Sequence, residues 1–191
     1  MWRPLKRLKE VIRTFMNRAV FLDRDGVINR VFKRDGKPYP PPTLADFEFL
    51  PGVVDAVAAF RRAGFRVIVV TNQPDVATGK QTRSVVEAMH AHVRQALAVD
   101  DIKVCFHTDA DLCDCRKPKP GMLLSAAQEW SLQLEQSYMI GDRWRDIDAG
   151  RAARCKTIWI RHDYDERLAD HADAIVDSLW EASQLILSER I

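Results

Sequence analysis

The sequence contains no uninterrupted apolar run near the ~20 residues that a membrane-spanning helix needs, although 47% of its 191 residues are hydrophobic. Its basic N-terminus is not followed by a continuous apolar core. No secretory signal is therefore expected, and a reducing, cytoplasmic setting is the expectation. Cysteine is scarce at four residues. Three of them bunch with a histidine, which makes a poor disulfide framework. Net charge is also nearly absent, since 29 Lys and Arg stand against 27 Asp and Glu. Even that small excess is local: residues 1–18 carry six basic side chains against Glu10 alone, and the remainder is slightly acidic. No nucleic-acid partner is expected on that balance. Repeats and low-complexity tracts are missing too, so the chain reads as one α/β domain with a sizeable core.

What is present is an alternation of strand-length apolar runs and helical patterns. Ala19–Leu22, Phe65–Val70, Ile102–Phe106, Ser137–Ile140 and Thr157–Ile160 read as strands, with Ala174–Val176 as an edge strand. Helices are expected from Gly52 to Arg62, Thr82 to Leu97, Met122 to Trp130, Trp144 to Ala153 and Leu179 to Ser188. This order predicts a doubly wound parallel sheet. Ahead of it, Trp2, Leu5, Leu8, Val11, Ile12 and Phe15 recur at helical spacing. Residues 2–15 thus read as a basic amphipathic helix, suited to packing on the domain, docking a partner or touching a membrane surface, and Met16 offers an alternative start. The expected division is an extension over 1–18 and one domain over 19–191.

The chain is organised around the first strand. Its apolar run stops at Asp23 and Asp25, one residue apart, with Gly26 directly behind. In an open parallel sheet the carboxyl ends of strands face the ligand crevice. A carboxylate there can attack phosphorus, and a second can pass a proton to the departing oxygen. Three further stretches suit the same chemistry. The second strand ends at Thr71, whose hydroxyl can hold a phosphate oxygen. Arg116-Lys117-Pro118-Lys119-Pro120-Gly121 supplies cations in a stiff loop. Met139-Ile140-Gly141 ends at Asp142, followed by Asp146 and Asp148. Between Arg30 and Pro51 runs a proline-rich connection, expected to lack structure of its own and to serve either as a substrate-facing flap that carries Asp35 and Tyr39 inward or as a solvated loop.

Cys105-x-His107 and Cys113-x-Cys115 place four metal-binding side chains within eleven residues. Three thiolates and an imidazole suit a closed tetrahedral, structural zinc site. Such an ion would pin the loop that leads into Arg116 and Lys117. Cys155 reads as a buried thiol, and His90 and His92 as helix-packing or surface residues.

Taken together, these residues resemble the haloacid dehalogenase (HAD) superfamily of phosphohydrolases from about Val20 to Ile160. The cysteine pairs, Phe-Leu-Asp-Arg-Asp-Gly-Val-Ile-Asn, Thr-Asn-Gln and Cys-Arg-Lys-Pro-x-Pro-Gly-Met look like its zinc-containing, capless branch. That branch includes the heptose bisphosphate and histidinol-phosphate phosphatases, the heptose enzymes being the nearer likeness. The resemblance implies a Mg²⁺-dependent hydrolase of a small phosphorylated sugar, acting as a monomer without a large cap domain. It makes Asp23 the nucleophile and Asp25 the general acid and base. Mg²⁺ would be held by Asp23, the main-chain carbonyl of Asp25, and Asp142. Thr71 and Lys117 would steady the phosphoryl group, Arg116 and Arg143 would grip the substrate, and Asn72 and Gln73 would line the pocket; Asp146 would orient a neighbour. Arg143 stands where the heptose enzymes commonly carry lysine, keeping the charge but offering a planar fork in place of a point charge. A different class of function, a catalytically silent zinc-bearing scaffold, would be expected to have lost Asp23 or Asp25.

Overall fold

In the computed structural model, which describes residues 17–169 and 171–191, the apolar run Ala19–Leu22 forms strand β1 at the centre of the molecule. All four residues are fully buried, as expected of a parallel strand covered on both faces. Val20 and Leu22 point into one core layer, and Ala19 and Phe21 into the other. Complete burial of Phe21 or Leu22 contributes roughly 1.5–3 kcal/mol each.

Around β1 lie β4 (Arg66–Asn72), β5 (Asp101–Cys105), β6 (Tyr138–Gly141), β7 (Lys156–Ile160) and β8 (Ala174–Val176). They form a six-stranded sheet in the order β5-β4-β1-β6-β7-β8, with every pairing parallel. Helices α1 (Val53–Arg62), α2 (Arg83–Leu97) and α5 (Leu179–Leu187) pack on the Val20 face. The other face is covered by α3 (Gly121–Trp130) and α4 (Trp144–Ala152). The sheet is therefore doubly wound, and these helices agree with the sequence expectation to within one or two residues, the usual uncertainty at helix ends. Thr82 caps α2, its hydroxyl accepting from Val85 N. The chain first builds outward from β1 to β4 and β5, then crosses back to lay β6 on the opposite side. Such a reversal of strand order opens a crevice beyond the carboxyl end of β1.

The connection from β1 to α1 departs from expectation. It is not structureless, because β2 (Phe32–Arg34) and β3 (Lys37–Tyr39) pair antiparallel as a hairpin. The two residues between them, Asp35 and Gly36, have φ of 50° and 72°. Positive φ at both central positions matches the right-handed twist of the flanking strands, and Asp-Gly is a strong signal for such a turn. As a result Asp35 sits exposed at the hairpin tip and is not carried inward. A short 3-10 turn, Leu44–Asp46, follows. The connection has no room for a second folded layer, so the domain lacks a large cap.

Among the described residues no helix is long and apolar enough to cross a membrane. The helix expected over residues 2–15 and the start expected at Met16 lie outside the described residues.

Candidate functional site

Strand geometry delivers the chemistry. Asp23 follows the last residue of β1, and its amide donates to Ile140 O on β6 (3.0 Å). Asp142 follows the last residue of β6, where Trp159 Nε1 on β7 donates to its carbonyl (2.9 Å). The two strand tips approach closely enough that only glycine fits at two positions. A Cβ on Gly26, whose φ is 88°, would lie 1.9 Å from Asp142 Oδ2, and one on Gly141 would lie 2.0 Å from Asp146 Cβ.

One oxygen from each of Asp23, Asp142 and Asp146 falls within 4.8 Å of the others, and all three residues are buried. Against these three carboxylates stands one buried ammonium. Lys117 Nζ donates to Asp23 Oδ1 (2.8 Å) and Val70 O (2.7 Å), and pairs with Asp146 Oδ1 (2.6 Å). The unbalanced charge appears in the acidities. Burial, with Asp146 and Asp25 adding to it and Lys117 opposing, pushes Asp23 up to about 6. Burial beside Asp23 and Asp146 holds Asp142 well above the usual carboxylate range. Burial alone would lower Lys117, but Asp146 and Asp23 raise it on balance. Asp142 Oδ1 is buried without a hydrogen-bond partner. Two surplus negative charges, an all-oxygen donor set and an orphaned carboxylate oxygen fit a hard divalent cation such as Mg²⁺.

Asp25 is held differently. Arg24 Nε and Nη2 donate to Asp25 Oδ1, and Nη2 also donates to Oδ2 (2.8 Å). Asn29 Nδ2 donates to Oδ1 (3.0 Å) and Gln73 Nε2 to Oδ2 (2.7 Å). Burial opposes ionisation, but Arg24 and these donors win and hold the Asp25 carboxyl below the usual carboxylate pKa, so it stays ionised. Arg24 itself is fully buried, and its Nη1 contacts Nε2 of His90 on α2 (3.2 Å). That nitrogen must accept, so His90 is neutral. Burial first, then the charges of Arg24 and Arg94, depress His90 to about 4.

A depressed histidine means that the unfolded chain binds the proton more readily than the folded one. Stability is therefore full above about pH 6.5 and is lost as pH falls toward 4. Between pH 7 and 4.5 this one group is expected to cost about 2 kcal/mol. Asp23 and Asp142 titrate in the opposite sense, so the comparison must be with His90→Gln, which keeps an acceptor for Arg24 but cannot titrate. Urea unfolding at the two pH values should show the variant losing about 2 kcal/mol less than the parent; equal losses would contradict the assignment.

Beside the acids lies a cavity of about 170 Å³. Asp23, Asp25 and Lys117 line its floor. Pro38, Tyr39 and Pro40 of the hairpin, Asn72 to Asp75, and Arg143, Arg145 and Asp146 make its walls. Asn72 does more than line: its Nδ2 donates to Lys117 O and its Oδ1 accepts from Lys117 N, both at 3.1 Å. Thr71 is buried and does not face the cavity directly. Gln73 Nε2, which also donates to Asp25, donates to the Thr71 hydroxyl (2.9 Å), so Gln73 links the two. Arg143 is on the wall, with one edge of its fork taken by Glu166 (Nε to Oε2 2.8 Å, and Nη2 with Oε1). Arg143 also caps the start of α4, its amide donating to Asp146 Oδ2 (3.0 Å). Asp146 thus does orient its neighbours.

Arg116 is a correction. It does not line the cavity; its Nε donates to Asp109 Oδ1 (2.9 Å), and its Nη1 is buried without a partner. The side chain of Lys117 is committed to the interior, and Arg116 is left to the outer side of the loop. Arg145, which shares Asp109 with Arg116 (3.1 Å), holds the wall position instead. Asp148 engages Arg167 and His171, not the acid cluster. Arg145, Tyr164 and Glu166 carried no signal readable in the sequence, since their partners are set by loops that meet only in the fold.

Next to this site the four zinc candidates converge. Cys105 ends β5, opposite Asn72 in the sheet register; His107 lies just before a 3-10 turn at Asp109–Asp111, and Cys113 and Cys115 follow it. The Cys105, Cys113 and Cys115 sulfurs and His107 Nδ1 all lie within 4.8 Å of one another, with contacts of 3.1–3.7 Å. Bonds of 2.0–2.3 Å to a tetrahedral zinc imply donor separations of roughly 3.3–3.8 Å. No disulfide joins them. The donor set fits Zn²⁺. Cys155 is a buried thiol, and His92 stacks on Phe49 (5.1 Å between centroids).

A HAD-hydrolase-like family model matches residues 114–182. Over 155 residues the chain is 38% identical to a D-glycero-beta-D-manno-heptose-1,7-bisphosphate 7-phosphatase of Pseudomonas putida, covering 78% of this chain and 86% of that one. The Escherichia coli K12 protein of the same name is 35% identical over 187 residues, covering 90% and 95%. Among solved structures, the D,D-heptose 1,7-bisphosphate phosphatase of B. bronchiseptica, complexed with magnesium and phosphate, superimposes with a TM-score of 0.78 at 28% identity, covering 90% of this chain and 99% of that one.

Proposed function

The chain belongs to the HAD-like hydrolases, in the family of the heptose bisphosphate phosphatases, and from that footing we propose that it removes the 7-phosphate of a D-glycero-D-manno-heptose 1,7-bisphosphate. The observation that carries this reading is the buried cluster of Asp23, Asp142, Asp146 and Lys117 at adjoining strand tips, opening on a cavity sized for a small phosphomonoester.

Asp23 Oδ attacks phosphorus and forms an aspartyl phosphate as the bond from phosphorus to the sugar oxygen breaks. Asp25 gives that oxygen its proton, then takes one from the water that attacks the phosphorylated aspartate. Inorganic phosphate leaves and Asp23 is restored. Ionised by Arg24, Asn29 and Gln73, Asp25 is ready for the second of these steps. For the first it must carry a proton, and a phosphate dianion docking beside it raises its affinity for one. Mg²⁺, held by Asp23, Asp142 and the carbonyl of Asp25, would neutralise phosphate charge. Lys117 meets the charge on the transferring group, and Thr71, set back from the cavity, supports the site through its hydroxyl, which accepts from Gln73 Nε2. Tyr39, Asn72, Gln73 and Arg143 contact the sugar phosphate from the walls. Zn²⁺ on the four Cys and His ligands holds the Lys117 loop and takes no part in the chemistry. Residues 19–191 act as one phosphatase domain, with 1–18 an extension. The protein works as a cytoplasmic monomer, and its unbridged cysteines suit a reducing compartment.

A panel of heptose 1,7-bisphosphate, heptose 1-phosphate, heptose 7-phosphate and histidinol phosphate, read by released phosphate, tests the substrate. The bisphosphate should give the highest kcat/KM. A higher value for histidinol phosphate would transfer the assignment to that substrate, and no release from any would favour the silent scaffold.

A further inference from the structure

The segment from Arg161 to Glu166, between β7 and β8, reaches across the site without belonging to any motif. His162 Nε2 meets Gly26 O (2.9 Å), directly behind the catalytic turn. Tyr164 Oη donates to Asp142 Oδ2 (3.0 Å). The Tyr164 ring has two neighbours: His162 stacks on it at 5.1 Å and 16°, and Lys33 Nζ from the hairpin stands 5.6 Å from its centroid. Lys33 also donates to Asp163 O (2.6 Å), and Asp165 N donates to Gly36 O (2.9 Å). The same few residues therefore grip both the hairpin wall of the cavity and an acid of the cluster.

The two oxygens of Asp142 are in unlike states. Oδ2 receives the Tyr164 proton, whereas Oδ1 is buried with no partner. A carboxylate held by one oxygen cannot rotate freely, so its other oxygen keeps one direction. Partners of this kind orient metal ligands in many sites, and their removal typically weakens metal binding 10–100-fold. We propose that Tyr164 is a positioning residue that aims Asp142 at the divalent cation. This rests on the reading of Asp23, Asp142 and the Asp25 carbonyl as the Mg²⁺ ligands.

Tyr164→Phe removes only the phenolic oxygen and keeps the stacked ring. Calorimetric titration of the full chain with MgCl₂, without substrate, should show the dissociation constant raised at least about 10-fold at unchanged stoichiometry. The Mg²⁺ concentration for half-maximal activity should rise with it, while KM for the sugar phosphate at saturating Mg²⁺ stays in place. A purely structural role would lower the melting temperature without this selective shift. Equal Mg²⁺ affinity in parent and variant overturns the proposal alone; no Mg²⁺ binding by the parent overturns both it and the reading beneath it.

Discussion

Asp23→Asn is expected to lower kcat on the order of 10⁵–10⁶-fold, the scale on which loss of a lone nucleophile costs an enzyme. The amide oxygen is too electron-poor to attack phosphorus, yet it has nearly the shape of the carboxylate and can still accept from Lys117 Nζ, which lies 2.8 Å from Asp23 Oδ1. Electrostatics adds a second signature. The site buries three carboxylates against one ammonium, so deleting one negative charge relieves repulsion on the other two. Without metal, the variant should therefore melt no lower than the parent. Phosphate release measures the first effect and thermal unfolding in chelator the second. Activity within 100-fold of the parent would end the covalent route, and a folded but inert variant would support it.

Removal of zinc should act on stability first and on rate through position. Three thiols and an imidazole stand within 4.8 Å of each other; without a cation they are left with weak sulfur contacts. An ion present at 1,000 times its dissociation constant stabilises the folded state by about 4 kcal/mol. Its loss should lower Tm by about 8–16 °C in a chain of this size. Lys117 lies two residues after Cys115, and its backbone is bracketed by Asn72. Loosening of the loop should displace the ammonium, and a 1 Å misplacement can cost about 10²-fold in rate. A strong chelator followed by dialysis into Mg²⁺ separates the two metals, and Cys113→Ser gives the same result without chelation. An unchanged Tm in protein shown metal-free by elemental analysis would refute the structural role.

The parts of this molecule legible in its sequence are those where one local rule suffices. Ala19–Leu22 is buried on both faces of the sheet, so its apolar run has no polar interruption, and the residues just past it mark the crevice. The four zinc candidates were readable because spacing along a loop already brings them near each other. The hairpin was harder, since Phe32–Arg34 and Lys37–Tyr39 are three-residue strands largely open to solvent. They show no alternation against a core, and only Asp35-Gly36 betrays the turn. Asp35 belongs to the same case: the turn needs it at positive φ, and its carboxylate stands exposed, away from the cavity. Arg24 would ordinarily be read as surface, because a buried arginine is tolerated only with partners. Those partners, Asp25 and His90, come from its own neighbour and from a helix 66 residues away. Tyr164 and Glu166 sit in an irregular loop with no periodicity to interpret, and their importance comes from what the fold sets opposite them.

Asp23, Asp142 and Lys117 are fastened to the ends of central strands or to the Cys-rich loop beside them, whereas the outer wall of the cavity includes Pro38, Tyr39 and Pro40 on a two-stranded ribbon. The reactive machinery and the selectivity element are thus mechanically separable. Grafting a ribbon of different length or composition between Asn29 and Phe49 would retarget the enzyme to other leaving groups while the hydrolytic step beneath stayed intact.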